Sequence, residues 1–224
     1  MTDKKRKYEK KRRAELEAET RRRITESAVE LHGSVGPAHT SISAVAERAG
    51  VRRSTVYRHF PDEAALFDAC SSHWSAANPV PDLGRWAAIH DPDERLRTAL
   101  GELYDFYGRT EQMMDNLLRD EETVPSVKRT FRAFRDYIVA ARDTLMSGRP
   151  ERGRARDRVA AAIAHALAFT TWRSLVREQG LDDSDAADLI CGLAAAAATG
   201  SPPRSRSRRA AARRARGGTS RRPA

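Results

Sequence analysis

Residues 40–60, with the sequence TSISAVAERAGVRRSTVYRHF, constrain the fold of this 224-residue chain more than any other segment. Apolar residues recur at helical spacing in two groups, first Ile42, Val45, Ala46 and Ala49, then Val51, Val56 and Phe60. Gly50 separates the groups, and glycine adopts the left-handed conformation of a sharp turn at little steric cost. The segment therefore predicts two short helices joined by a tight turn.

The polar residues of the segment indicate what the second helix faces. In a helix-turn-helix the second helix enters the major groove of DNA, and its N-terminal residues contact base edges. We predict base contacts by Arg52, Arg53, Ser54 and Thr55, and phosphate contacts by Tyr57 and His59. Thr40 and Ser41 complete the predicted DNA-contacting set, and the Thr40 hydroxyl is also expected to cap the first turn of the first helix. The alternative interpretation is an ordinary helix pair whose Arg and Tyr side chains are only solvated.

Residues 46–67, AERAGVRRSTVYRHFPDEAALF, resemble the signature of TetR-family transcriptional regulators, and the resemblance extends over about residues 20 to 70. It implies an all-α protein with an N-terminal three-helix DNA-binding domain and a larger C-terminal helical domain for ligand binding and dimerisation. It also implies a repressor that blocks polymerase access and responds to a small molecule.

The resemblance implies individual roles as well. Phosphate contacts fall on Thr40, Tyr57 and His59, and core positions on Ala46, Gly50, Val56 and Phe60. Two positions depart from the common pattern. Many family members have a small residue or Gly in place of Ser54 and a phosphate-binding Lys in place of Glu63, so that Lys contact is not carried over.

Basic residues are concentrated at the two ends of the chain. The formal net charge is +10, yet residues 24–200 hold 21 basic against 26 acidic residues. We predict a basic arm over 1–19, either an extension of the first helix or disordered, that reads the minor groove or binds phosphates nonspecifically. The tail over 201–224 holds nine Arg and is expected to be disordered, as a tether for nucleic acid or only as a result of GC-rich coding sequence.

The remaining patterns predict a helix-turn-helix domain over 20–66 and a helical regulatory domain over 67–200. A fourth helix is expected at about 63–77, followed by a linker. One apolar stripe runs from Leu96 to Phe106, a short segment surrounds Met113 and Leu118, and a long helix carries apolar residues from Val127 to Leu145. No alternating β pattern is present in the sequence, which favours an all-α fold.

The last two predicted helices indicate a homodimer. Between Val159 and Phe169 nearly every residue except His165 is apolar, and a helix that is apolar all round is buried on more than one side. The final helix repeats the pattern with small residues. We predict a four-helix bundle formed by two helices of each subunit, which suits a protein that reads a palindromic site. The alternative is a monomer whose core these helices close.

A ligand pocket is predicted from the aromatic and polar residues of the C-terminal domain. The candidates are Tyr104, Tyr107, Met113, Phe134, Tyr137, His165, Phe169 and Trp172. Such a pocket suits a mostly apolar effector with one or two polar groups. For each side chain the alternative is ordinary core packing.

Other classes of function are disfavoured by the sequence. It carries no nucleophile elbow, phosphate-binding loop or metal-ligand spacing, so we expect no enzyme activity, no metal and no cofactor. Cys70 and Cys191 are expected to be buried thiols. No signal peptide or membrane span is expected, and the predicted location is the cytoplasm. An alternative function is a nonspecific or architectural DNA-binding protein that uses its basic arms.

Overall fold

The computed structural model describes residues 2–199, which contain ten α-helices and no β-strand. The helices are α1 Thr2–Ser34, α2 Ile42–Arg48, α3 Arg53–His59, α4 Glu63–Ala77, α5 Leu83–Ala87, α6 Pro92–Asp120, α7 Pro125–Met146, α8 Gly153–Ala166, α9 Phe169–Arg173 and α10 Asp183–Thr199. A 3-10 turn, Pro37–His39, precedes α2, and a π-helical turn, Ser174–Glu178, follows α9. The predicted all-α fold is confirmed. The tail predicted over 201–224 lies outside the described residues.

Helices α1–α3 share a small apolar core with the first half of α4, and we call these four elements together the head. Gly50 has φ +64 and forms the predicted turn between α2 and α3. The predicted cap of α2 is corrected by one residue: Ser41 has extended backbone, and its Oγ accepts a hydrogen bond from Ala44 N at 3.1 Å. The Thr40 hydroxyl instead donates to Gly36 O at 2.8 Å, because Thr40 lies one residue before the cap position.

Helices α5–α10, which we call the body, surround a second and larger core. Helix α6 is continuous over 29 residues, so the predicted stripe and the predicted short segment after it belong to one helix. It begins where Asp91 Oδ1 accepts hydrogen bonds from Asp93 N and Glu94 N at 2.7 and 3.1 Å. Helix α7 covers the predicted long helix. Helix α4 passes from the head core to the body core.

The apolar segment predicted as one helix from Val159 to Phe169 is broken. Helix α8 ends at Ala166, and Phe169 begins α9 after Ala168 adopts an extended conformation. Tyr104 and Tyr107 of α6 donate hydrogen bonds to Ala166 O and Leu167 O at 3.1 and 2.6 Å. Buried carbonyl groups at the end of a helix need donors, and these hydroxyls supply them.

No single helix within residues 2–199 has the length and apolar composition to cross a bilayer. Two successive segments, Gly153–Ala166 and Phe169–Glu178, reach that composition together, with a bend of 68° between them. Their buried side chains belong to the body core.

The C-terminal end of α6 holds the head against the body. Asn116 Nδ2 donates hydrogen bonds to His32 O and Gly33 O, each at 2.9 Å, and Arg119 Nη2 donates to Val35 O at 2.9 Å. The last carbonyls of α1 are therefore satisfied by side chains from another helix. We call Asn116, Arg119 and the adjacent Asp120 the α6 clamp.

Asp120 completes the α6 clamp on the other side of the turn. Its buried carboxylate accepts a hydrogen bond from Ala38 N at 2.9 Å and pairs with Arg119 Nε at 2.8 Å. Burial would raise the pKa of Asp120, but the bonds from Arg119 and Ala38 outweigh burial and hold that pKa below its ordinary value. A folded-state pKa below the unfolded value stabilises the fold above the unfolded pKa, and this contribution is lost as the pH falls.

Gly36→Ala should destabilise the protein by acting directly on the α6 clamp. Gly36 has φ 94 and ψ 159, a region that is essentially restricted to glycine, and an added Cβ would meet the Arg119 guanidinium and lie 2.6 Å from Asp120 Oδ2. We expect the free energy of unfolding, measured with urea, to fall by about 3 kcal/mol. Gly148→Ala is the control, because Gly148 also has positive φ, +73, but a Cβ there meets no atom within 4 Å. Its loss should be about 1–2 kcal/mol, and equal losses in the two variants would contradict the steric role of Gly36.

Candidate nucleic-acid interface and ligand cavity

Helix α3 presents most of the predicted base-reading residues to solvent. Val56 is buried in the head core, and this fixes which side of the short helix faces outward. Arg52 and Arg53 at its beginning, and Ser54 after them, are exposed, whereas Thr55 is half-buried. The exposed first turn of α3 therefore carries two guanidinium groups and a hydroxyl that are free to meet the edges of base pairs.

Tyr57 holds Arg53 in place on this surface. Arg53 Nη2 donates a hydrogen bond to Tyr57 Oη at 3.2 Å, and the guanidinium carbon lies 5.6 Å from the centre of the Tyr57 ring. The hydrogen bond raises the pKa of Arg53, and Tyr57 is 40% exposed. The two residues are one helical turn apart, so this contact reduces the conformational freedom of Arg53 before any DNA is bound.

Thr40 and His59 are less available to a phosphate than the sequence predicts. Thr40 already donates its hydroxyl proton to Gly36 O. His59 Nε2 is buried and has no hydrogen-bond partner within residues 2–199. Burial, and then the charges of Arg58 and Arg21, lower the pKa of His59, which favours a neutral ring. Ser41 uses its hydroxyl oxygen to cap α2.

The basic arm forms the first turns of α1. Arg21 joins α1 to the end of α3, because its guanidinium donates to His59 O and lies 4.0 Å from the centre of the Phe60 ring. From Arg21 back to Lys5 a straight helix extends by about 24 Å at 1.5 Å per residue. Side chains are described from residue 5 onward. Lys11 and Arg13 pair with Glu15 and Glu17, and five other exposed cations make no ion pair among these described side chains: Lys5, Arg6, Lys7, Lys10 and Arg12.

A cavity of about 400 Å³ lies where the head meets the body. It is enclosed by side chains of α1, α4, α6 and α7, and three of the eight predicted ligand residues line it: Met113, Phe134 and Tyr137. The head contributes residues that sequence reasoning missed, among them His32 and Cys70. A usable signal was present around α4, where Ser71 and Ser75 are spaced one helical turn apart and Asn78 follows at the end of the helix.

The other five predicted ligand residues do not line this cavity, and their assignment to one pocket is corrected. Tyr104, Tyr107, Phe169 and Trp172 are buried in the body core. Their polar atoms have partners there: Tyr104 and Tyr107 cap α8, and Trp172 Nε1 donates to Asp183 Oδ1 at 2.8 Å. His165 is exposed at the surface, with its ring 3.3 Å from Thr171 Oγ1. Burial raises the pKa of both tyrosines, so their hydroxyls remain protonated donors.

Comparison with known protein families agrees with the geometry of the head. The family described as bacterial regulatory proteins of the tetR family matches residues 24–70. This range contains the last third of α1, the helix-turn-helix and the first half of α4. A comparison with curated proteins finds no significant match.

Solved structures extend the likeness to the body. A TetR-like transcriptional regulator from Rhodococcus sp. RHA1 is 21% identical, with a TM-score of 0.61, and the alignment covers 81% of this chain and 97% of that one. A second transcriptional regulator from the same source is 21% identical, with a TM-score of 0.57, covering 81% and 99%. The TetR-family regulator PfmR from Thermus thermophilus is 17% identical, with a TM-score of 0.54, covering 76% and 96%. At these identities the likeness shows a common fold.

The helix-turn-helix presents its polar second helix outward, the family match covers that part of the chain, and the whole helical arrangement is shared with solved regulators. Residues 24–70 therefore carry the helix-turn-helix domain of bacterial tetR-family regulatory proteins, and the chain shares the fold of solved TetR-like transcriptional regulators.

Proposed function

We propose that the protein is a sequence-specific repressor that binds its operator as a homodimer and is controlled by a small-molecule effector in the cavity between head and body. The observation that carries this proposal is the exposed start of α3, where Arg52 and Arg53 have no acidic partner within hydrogen-bonding distance among the described residues. Bidentate contacts of arginine with guanine are the commonest specific contact in the major groove. A site that contains guanine suits this surface.

An unpartnered apolar face supports the homodimer. Ile163 of α8 and Ile190 of α10 are buried in the body core, whereas Leu189 and Leu193 of α10 are 45% and 53% exposed. Helix α8, which packs against α10, also exposes two small residues, Ala161 and Ala164. We call Ala161, Ala164, Leu189 and Leu193 the α8–α10 face. Small residues beside exposed leucines allow two helix pairs to pack closely, and a two-fold dimer presents two α3 helices to a palindrome.

Repression follows from the way such a dimer acts. The proposed DNA-reading head, dimerisation face and effector cavity together support this role, because a dimer bound over a promoter blocks polymerase by occupying the DNA. The proposed DNA partner also supports the cytoplasmic location predicted from the sequence. Helix α4 contributes both to the head core and to the cavity wall, which gives an effector direct access to the head.

A DNase footprint on DNA that flanks the gene tests the proposal, at physiological salt and with excess nonspecific competitor. We expect a short symmetric protected site. Arg53→Ala should reduce the preference for this site over competitor DNA by about 1–3 kcal/mol for each bidentate pair of hydrogen bonds that it removes. The control is Arg142→Ala, which removes the same charge from α7 in the body, where Arg142 pairs with Asp143. Diffuse protection that disappears with added salt, or equal effects of the two variants, would favour the architectural alternative.

The first turns of α1 should contribute a salt-dependent part of DNA binding. Replacement of Lys5, Arg6, Lys7, Lys10 and Arg12 by Gln removes five exposed cations that make no ion pair within the described residues. We expect weaker binding and a smaller slope of log K against log salt, by up to about 0.9 for each phosphate that is no longer neutralised. Lys11→Gln with Arg13→Gln is the control, because those cations are partly neutralised by Glu15 and Glu17. An unchanged slope in the first variant would show that the arm does not contact DNA.

The α8–α10 face should decide the oligomeric state. Leu193→Asp places a charge at the centre of the proposed interface and should convert the dimer to a monomer, measured by sedimentation equilibrium. Val139→Asp is the control, because Val139 is similarly exposed, 49%, but lies on α7. Both variants should keep their helical circular dichroism. A dimer that survives Leu193→Asp, or one that dissociates equally in Val139→Asp, would contradict the proposed interface.

A further inference from the structure

The cavity is bounded by helices that belong to different parts of the molecule. His32 of α1 and Cys70 of α4 form the head side, and Phe106 of α6 and Phe134 of α7 form the body side. Val80, in the connection after α4, is 39% exposed at the edge of the cavity, and Ser75 nearby is also exposed. These exposed lining residues place the mouth between the end of α4 and α7. A molecule that entered there would contact both parts of the protein.

The walls carry no formal charge near neutral pH. None of the residues that line the cavity is Asp, Glu, Lys or Arg. Burial lowers the pKa of His32 to about 4, only partly offset by Asp120, and burial raises the pKa of Cys70 to about 12. Burial also raises the pKa of Tyr137. An ion placed here would lose its hydration without gaining a charged partner, which is strongly unfavourable.

The body side of the cavity is aromatic and layered. The ring centres of Phe106 and Phe134 are 6.4 Å apart with 25° between planes, and those of Phe134 and Tyr137 are 6.1 Å apart with 24° between planes. Phe67 and Trp74 add aromatic rings from α4. Nearly parallel rings at the wall of a cavity favour a flat partner, because offset stacking and edge contacts exploit the ring quadrupoles.

Three hydroxyl groups at the cavity have no protein partner. The side chains of Ser71 and Ser75 on α4 and of Thr130 on α7 make no hydrogen bond within residues 2–199. Ser72, which does not line the cavity, behaves differently, because its Oγ donates to Asp68 O at 2.9 Å. Hydroxyls both donate and accept, so they match alcohol, carbonyl or amide groups on a ligand.

We propose that the cavity binds an uncharged aromatic molecule whose hydroxyl or carbonyl group is held by Ser71 of α4. The ligand fills the space between the aromatic wall of α6 and α7 and the head helices α1 and α4. This assignment deepens the effector control proposed above and rests on it only for the consequence at DNA, because the binding itself requires nothing beyond the cavity.

Three probes of one shape test the charge preference on the full-length protein without DNA. They are naphthalenemethanol, which is neutral, naphthoate, which is an anion, and naphthylmethylamine, which is a cation near pH 7. We expect calorimetry to give an affinity for naphthalenemethanol at least about tenfold higher than for either ion. Equal or stronger binding of an ion, or no binding of the neutral probe at millimolar concentration, would overturn the assignment.

Variants at two adjacent serines test where in the cavity the probe binds. Ser71→Leu fills the proposed site and should abolish binding of naphthalenemethanol, whereas Ser72→Leu, one residue further along the same helix, should leave it unchanged. Ser71→Ala keeps the space and removes only the hydroxyl, so it should lower the affinity for naphthalenemethanol several-fold. This variant replaces Ser71→Leu in the test if Ser71→Leu does not fold. If both Ser71 variants bind as well as the wild type, the assignment of the hydroxyl is wrong.

The footprint separates this inference from the proposed function. Selective binding of the neutral probe, abolished in Ser71→Leu, establishes the ligand class even if the footprint is unchanged by the probe. An unchanged footprint then counts against effector control by this class. Conversely, a footprint that responds to naphthoate but not to naphthalenemethanol would support effector control and overturn the ligand class.

Discussion

The α6 clamp is the contact on which the arrangement of head and body depends. The last carbonyls of α1 have no partners within their own helix, and Asn116 supplies both N–H groups of its amide to two of them. Asn116 and Asp120 are almost fully buried, 1% and 3% exposed. Buried polar groups that lose their partner cost about 1–3 kcal/mol each, so the clamp fixes one orientation of the head strongly. Gly36 allows the chain to turn beneath the α6 clamp.

Helix α4 forms the second connection between head and body, and this connection consists mainly of apolar contacts. Leu66 and Cys70 are part of the head core, and Trp74 packs against the body core one turn later. On the head side, the ring of His32 lies 5.3 Å from the ring of Phe67, and His32 Nδ1 is 3.8 Å from Cys70 Sγ. Helices α1 and α4 are therefore packed against each other, independently of their contacts with the body. Between this pair and α6 and α7 the apolar contact is incomplete, and the cavity occupies the remainder.

The sequence predicted the local elements well because their signals are local. The periodic apolar residues of α2 and α3, the turn at Gly50 and the fourth helix at about 63–77 all follow from local spacing. The wrong choice of Thr40 as the cap was an error of one residue. Helix ends are the least certain part of any such prediction, because two neighbouring hydroxyl residues carry the same signal.

Only three of the eight predicted ligand residues line the cavity, because an aromatic residue carries the same signal in a core as in a cavity wall. Tyr107 and Phe134 both lie on apolar stripes, and only the tertiary arrangement places Tyr107 under the end of α8 and Phe134 beside open space. The break after Ala166 was hidden by a run of apolar residues, since it is stabilised by hydroxyls that are some 60 residues distant in sequence. His165 is polar because it lies on the exposed side of α8, where its ring does not enter the core.

The two connections between head and body respond differently to a force applied at the DNA. The clamp consists of directional hydrogen bonds to buried atoms, which break rather than stretch, whereas the apolar contact across the cavity can change its width at a smaller cost in free energy. We therefore expect any movement of the head against the body to turn about the clamp and to change the width of the cavity. Under the proposed effector control of a homodimer, a ligand in the cavity and an operator that fixes the separation of two heads would act on the same angle. Because coupling between two binding sites is reciprocal, operator DNA would then change the affinity of the ligand by the same factor as the ligand changes the affinity for operator.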